Sequence, residues 1–155
     1  MGRVLRALAL AGAITLASIV GLIEEAQSTA GHTPTIQIGL WNSHRVNVHN
    51  LPRWSGYSPT MSRIACRHAY DMGRTVSGRL YHTDISHQVG SWRWLGQVVG
   101  YTSDPRGTQS LFKAYHNSAP HRAVWEVRRT VYVGDCAVWS TKFHRWYHVA
   151  NFRDP

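Results

Sequence analysis

Acid is what this sequence has least of. Only 8 Asp and Glu stand against 17 Lys and Arg in 155 residues, and charged residues make up 16% of the chain. Lysine is scarce too: Lys113 and Lys142 are the only two, and the other 15 basic residues are arginine. There are two cysteines and no CxxC, HExxH, GxSxG or GxxxxGK[ST] pattern. Those gaps remove the zincin, nucleophile-elbow and P-loop readings, each of which needs its residues at fixed spacing. No run of Lys or Arg marks a nucleic-acid patch, despite a net charge of +9. At 43% hydrophobic the chain is too apolar for a disordered basic tail, and its length suits one domain with a modest core.

The N-terminus sets the compartment. Arg3 and Arg6 precede an uncharged stretch from Ala7 to Ile23, which Glu24 and Glu25 end. Ser28 and Ala30 are the small residues that cleavage after Ala30 requires, with cleavage after Ala26 the second option. This pattern predicts a signal peptide over 1–30 and an exported domain over 31–155. An uncleaved anchor is the alternative, because the apolar run approaches the roughly 20 residues that span a bilayer. Cleavage removes two arginines and two glutamates, so the whole +9 stays on a secreted domain. In an oxidising compartment the simplest pairing of Cys66 and Cys136 is one disulfide, the alternative being two separate thiols.

The mature part reads as helices first and a hairpin last. Residues 31–60 are mostly loop, with a weak helical signal over Ile38–Val46 and breaks at Pro52, Gly56 and Pro59. Met61, Ile64, Ala65, His68, Ala69 and Met72 form one apolar helical stripe, with Thr60 as its expected N-cap and Gly73 as its exit. His68, on that stripe, reads as a hydrogen-bonded core histidine. A loop runs from Val76 to Trp94, followed by the short segment Leu95–Tyr101. Gly107–Asn117 reads as a helix, and Ser118 with Pro120 opens another that runs to about Val127. Thr130–Ser140 and Arg145–Phe152, rich in Val, Trp and Tyr, predict a β-hairpin.

Several segments then fall in a telling order: ACRHAYDM (65–72), LYHTD (80–84), LGQVVGY (95–101), LFKAYHNSAPHR (111–122), TVYVGDCAVW (130–139) and RWYHVANF (145–152). Together they resemble the CAP superfamily, also called SCP-like extracellular proteins, clearly over 60–155 and weakly over 38–60. The most specific piece is Ser118-x-x-His121-Arg122. The resemblance implies an α+β fold, an α-β-α sandwich with a small antiparallel sheet between helical layers. It also implies a cleft lined by two histidines, matched here by His82 and His121, which in some members holds a divalent metal. Zinc is the candidate cofactor, bound through neutral imidazole nitrogens.

The departures from the family carry as much weight. Its G-E-N motif stands here as Gly96-Gln97-Val98, so a carboxylate has become an amide that cannot act as a general base. Asp84 is the only acid between His82 and Gly96, and Val124 replaces the asparagine usual after H-R-x. Two histidines alone also fall short of the three protein ligands of catalytic zinc, and His87 or Asp84 would have to complete the set. His116, His144 and His148 read as surface or rim residues, and Trp92, Trp94, Trp125, Trp139 and Trp146 as core. The scattered arginines read as a solvated face.

Three functional readings follow. The first is a secreted CAP-domain binding or interaction module, with a lipid or cell-envelope component as candidate partner and no nucleic acid. The second is a metal-dependent hydrolase using His82 and His121, which Gln97 weighs against, so the balance is against an enzyme. The third is a basic protein binding anionic cell-envelope polymers through its +9 charge.

Overall fold

The computed structural model describes residues 34–104, 107–129 and 131–155; the expected signal peptide, 1–30, lies outside them. The elements are α1 (Pro34–Asn47), β1 (Gly56–Tyr57), α2 (Pro59–Arg74), a 3-10 turn (Ser86–Gln88), β2 (Trp94–Thr102), α3 (Thr108–His116), α4 (Ala119–Trp125), β3 (Tyr132–Ser140) and β4 (Arg145–Asp154). One four-stranded sheet has the order β1-β3-β4-β2, leaving β2 at an edge. The β3–β4 hairpin and the β2–β4 pair are antiparallel, as expected, while the two-residue β1 runs parallel to β3 and makes the sheet mixed. The architecture is α+β. No described helix is long and apolar enough to cross a membrane.

Helix α2 covers one face of the sheet, packing on β3 and β4. Its stripe is buried from Met61 through Ala65, His68 and Ala69 to Met72. The N-cap is Ser58 rather than Thr60: Ser58 is extended, and its Oγ accepts from the Met61 N–H at 3.3 Å. Pro59 explains the shift. Proline lacks the N–H that a first-turn position leaves unpaired and already has a helical φ, so it opens the helix and moves the cap ahead of itself. The helix start lies so close to β3 that a Cβ on Gly134 would sit 2.3 Å from the Ser62 nitrogen and 2.6 Å from the Ser58 carbonyl oxygen. Only glycine admits that approach. Around it, Ser62 Oγ donates to the Asp135 carbonyl at 2.6 Å, and a disulfide between Cys66 and Cys136 ties α2 to β3.

The other face carries α1, α3 and α4. Trp41, Leu111, Tyr115 and Trp125 from these helices bury against Val98, Ala150 and Phe152 of the sheet. Trp41 stacks on Trp125 with ring centroids 6.3 Å apart. Trp92 and Trp139, expected in the core, are instead exposed at 44% and 39%. The core tryptophans that spacing did not single out are Trp41 and Trp54. Arg45 also departs from the solvated reading, being fully buried beneath α4.

Candidate functional site

Histidines and amides meet where the Val76–Trp94 loop crosses the α2 side of β2. The β2–β4 register sets Gln97 opposite Asn151, so alternation puts both side chains on one face of the sheet. Backbone groups at the two ends fix every polar atom between them. Asn151 Nδ2 must donate to the Met61 carbonyl, 3.2 Å away, which turns Asn151 Oδ1 towards Gln97. Gln97 Nε2 donates to that oxygen at 2.9 Å, which leaves Gln97 Oε1 to accept from the Thr83 N–H at 3.1 Å. The same Oε1 lies 3.2 Å from His82 Nδ1. An amide oxygen only accepts, so His82 Nδ1 is the donor in this contact.

His68 joins from α2. Its Nδ1 is 3.3 Å from Thr83 Oγ1, and its ring packs on Tyr81 with centroids 4.8 Å apart. It is buried and hydrogen-bonded, as the stripe implied. Burial, with nearby His82 adding to it, holds its pKa below the usual histidine value although Asp71 pulls the other way. His68 is nonetheless a direct neighbour of the cleft network, a role the helical spacing did not reveal.

His121 comes from the opposite side, on the first turn of α4. The N-cap Ser118 does not cap through its side chain; its Oγ lies 2.7 Å from His121 Nδ1. Burial depresses the His121 pKa, the Val99 backbone opposes, and the proximity of His82 lowers it further. His121 is therefore neutral at pH 7. His82 and Gln97 are in contact, and His121 lies near His82. Among the described residues, no third metal-ligating side chain joins His82 and His121 within reach of one ion. Asp84 is exposed and its Oδ1 accepts from the Ser86 N–H at 2.8 Å, opening the 3-10 turn.

Beside His121 the edge of β2 forms an open groove of about 260 Å³. Its floor is Val99, Gly100, Leu111 and Tyr115, and Ser118 with His121 supplies its polar end. Neither His82 nor Gln97 lines it. Gly100 is obligatory here, because a Cβ would fall 2.5 Å from the Tyr115 hydroxyl. Leu80 and Tyr101, both more than a third exposed, line the groove as well.

His148, expected at the rim, is fully buried on the other side of β4. Its Nδ1 meets the Tyr115 hydroxyl at 3.1 Å and its Nε2 meets Asp135 Oδ2 at 3.2 Å. His144 is exposed at the β3–β4 turn, and His116 is half-buried.

No family model and no curated relative matches the sequence. Solved structures do match. An outer surface protein of Borrelia burgdorferi aligns over 81% of this chain and 98% of its own, with a TM-score of 0.59 and 18% identity. An SCP-domain extracellular protein of Bacillus anthracis aligns over 94% of this chain at TM-score 0.60 and 16% identity. This chain covers 45% of that longer protein. Venom allergen-like protein 4 of Schistosoma mansoni aligns over 76% of this chain and 83% of its own, at TM-score 0.52 and 10% identity. At such identities the likeness concerns backbone architecture, and it agrees with the segment order from 65 to 152. The chain has the α+β fold of the CAP superfamily.

Proposed function

We propose that this protein is a secreted binding module that takes the apolar part of a small amphiphile at the β2-edge groove, and that it is not a hydrolase. The observation that carries the reading is the requirement for an amide at Gln97. A carboxylate there could accept from Thr83 and His82 but would set an oxygen against Asn151 Oδ1, which lies 2.9 Å from Gln97 Nε2. Asn151 cannot turn over to help, because its own nitrogen is held by the Met61 carbonyl. The network is thus built around glutamine, and among the described residues no carboxylate is hydrogen-bonded to His82 or His121.

The groove supports the ligand class. Its lining is apolar apart from Ser118, His121 and the Tyr115 and Tyr101 hydroxyls. Its volume lies just under the roughly 300–1,000 Å³ of small-molecule pockets, which suits one chain or ring of a larger lipid. Export would follow from the 1–30 segment, and two fold neighbours, one an outer surface protein and one an extracellular protein, are in keeping with it.

Binding of a fluorescent fatty-acid analogue tests the reading. Ala114→Trp, at an exposed groove position, should weaken binding at least about tenfold by filling space that the ligand needs. Gln97→Glu should leave that affinity unchanged. It should lower stability by about 1–2 kcal/mol at pH 7, the cost of one disrupted buried hydrogen bond. A gain of esterase or peptidase activity in Gln97→Glu would identify a decayed enzyme instead.

A further inference from the structure

Away from the cleft, three helix ends bring a different set of histidines together. His44 is in the last turn of α1 and His116 is the last residue of α3. Glu126 is the C-cap of α4, and His49 lies in the loop after α1. The ligand atoms of His44, His49 and His116 all lie within 4.8 Å of one another. The His44 ring centroid is 4.9 Å from that of His49 and 4.7 Å from that of His116. Glu126 Oε1 is 3.2 Å from His49 Nε2.

Four polar atoms in this one place are buried without a hydrogen bond: His44 Nε2 and His116 Nδ1, and also His49 Nε2 and Glu126 Oε1, which face each other only as an ion pair at 3.2 Å. Native proteins leave few such atoms, and each calls for a reason. The ligand atoms of the three histidines, all within 4.8 Å of one another, share a single reason if one central atom satisfies them, with Glu126 reaching it from beside His49. We propose that His44, His49, His116 and Glu126 form a structural zinc site that fastens the ends of α1, α3 and α4.

The donor chemistry suits the ion. Three imidazole nitrogens and one carboxylate oxygen are borderline ligands that zinc takes in a closed tetrahedron, at 2.0–2.2 Å from the metal. Ligand atoms on such a tetrahedron stand about 3.3 Å apart. The His49–Glu126 separation already matches; the imidazole nitrogens, within 4.8 Å of one another, and the Glu126 carboxylate close the rest by side-chain rotation. Helix C-termini carry partial negative charge, so the meeting of three of them favours a cation. Arg45 lies nearby, but its hydrogen bonds go to the carbonyls of Pro52, Trp125, Val127 and Arg129 rather than to Glu126. The set shares no side chain with the His82–Gln97–His121 cleft, so the inference stands whether or not the groove binds an amphiphile.

Zinc titration of the purified, chelator-stripped chain by calorimetry, with the thermal midpoint as second readout, decides the matter. The expected result is one zinc per chain and a raised midpoint. Second-shell changes alone cost metal sites 10–100-fold in affinity, so losing a ligand should cost at least about 100-fold. His49→Gln, at a half-exposed position that folding tolerates, should show that loss, and Glu126→Gln should weaken binding at least about tenfold. His82→Ala and His121→Ala should leave affinity unchanged. Cobalt(II) substitution should give the strong visible bands of a tetrahedral site. The proposal is overturned if zinc fails to bind the native chain. It is equally overturned if binding survives in His49→Gln, or is lost with His82 or His121.

Discussion

Replacing Arg45 with methionine should lower stability by about 3–4 kcal/mol, read as a shift in the urea unfolding midpoint at pH 7 with unchanged slope. Arg45 is fully buried, and its guanidinium serves one end of α4 and two chain turns at once. Its Nη1 donates to the Trp125 carbonyl and, at 3.0 Å, to that of Val127. Nη2 and Nε donate to the Pro52 carbonyl at 2.9 and 3.2 Å, and Nη2 reaches the Arg129 carbonyl at 3.4 Å. Desolvation lowers its pKa to about 10, partly offset by Glu126, so it stays charged at pH 7. Methionine keeps the stem against Trp54, whose ring the guanidinium now faces at 5.3 Å. It takes this donor from the buried Trp125 carbonyl and from the part-buried carbonyls of Pro52, Val127 and Arg129, at about 1 kcal/mol each on average. Lysine should recover less than half of the loss, since one ammonium cannot span carbonyls on both sides as a planar fork does. A loss below about 1 kcal/mol for methionine would mean that those carbonyls find other partners and that the arginine contributes nothing net.

Arg45 also marks where sequence reading runs out. The α2 stripe and the hairpin were legible because each buries one face against a layer, which prints a period of 3.6 or 2 on the residues. Strand β2 was not, because Gly96 and Gly100 interrupt its alternation. Both glycines are demanded by neighbours: a Cβ at Gly96 would meet Trp94 and Val124, and one at Gly100 would meet Tyr115. Arg45 and His148 misled because residue type alone assigns charged and polar groups to the surface. Their burial depends on partners distant in sequence, the carbonyls of 125–129 for one and Asp135 for the other.

The site shows the same division. His82, Gln97 and His121 could be nominated by position in a family-like order of segments, and the fold brings them to the same edge strand. That Gln97 is held as an amide could not be foreseen. It rests on a chain of bonds from the Met61 carbonyl through Asn151, and so on a register that only strand pairing fixes. The His44–His49–His116 cluster was invisible for a related reason. Its members come from the ends of separate helices with no recurrent spacing, unlike the compact ligand motifs that a sequence scan detects.

The buried pair Asp135 and His148 should make stability fall as pH rises above 6.5, by about 1.4 kcal/mol per unit for as long as native Asp135 keeps its proton. Both side chains are fully buried and 3.2 Å apart. Desolvation raises Asp135 well above 3.8 and lowers His148 from 6.5 to about 3, so burial favours a neutral acid beside a neutral imidazole. Taken singly, the raised Asp135 loses its stabilising contribution as pH rises from 3.8 through its folded value. The depressed His148 loses its own as pH falls from 6.5 towards 3. Between 3.8 and 6.5 the two slopes cancel, because folded and unfolded chains each hold one proton on the pair. Above 6.5 the unfolded histidine gives up its proton, and stability declines for as long as native Asp135 retains one. The window from pH 7 to 9 isolates this effect among the shifted groups. His44, His68 and His121, all lowered, are neutral in the native state there and almost wholly so in the unfolded state above about pH 7.5, and Asp84 and Asp154, also lowered, are ionised in both. Tyr115 and Tyr147 are raised from 10, and Arg45 titrates near 10. Urea unfolding at pH 7, 8 and 9 should therefore show the decline in the native chain and a flat profile in Asp135→Asn, which removes the retained proton but preserves a partner for His148. The decline does not depend on which member of the pair holds the proton. A flat profile in the native chain would mean that the buried pair carries no proton at neutral pH and that a bare carboxylate sits unprotonated in the core.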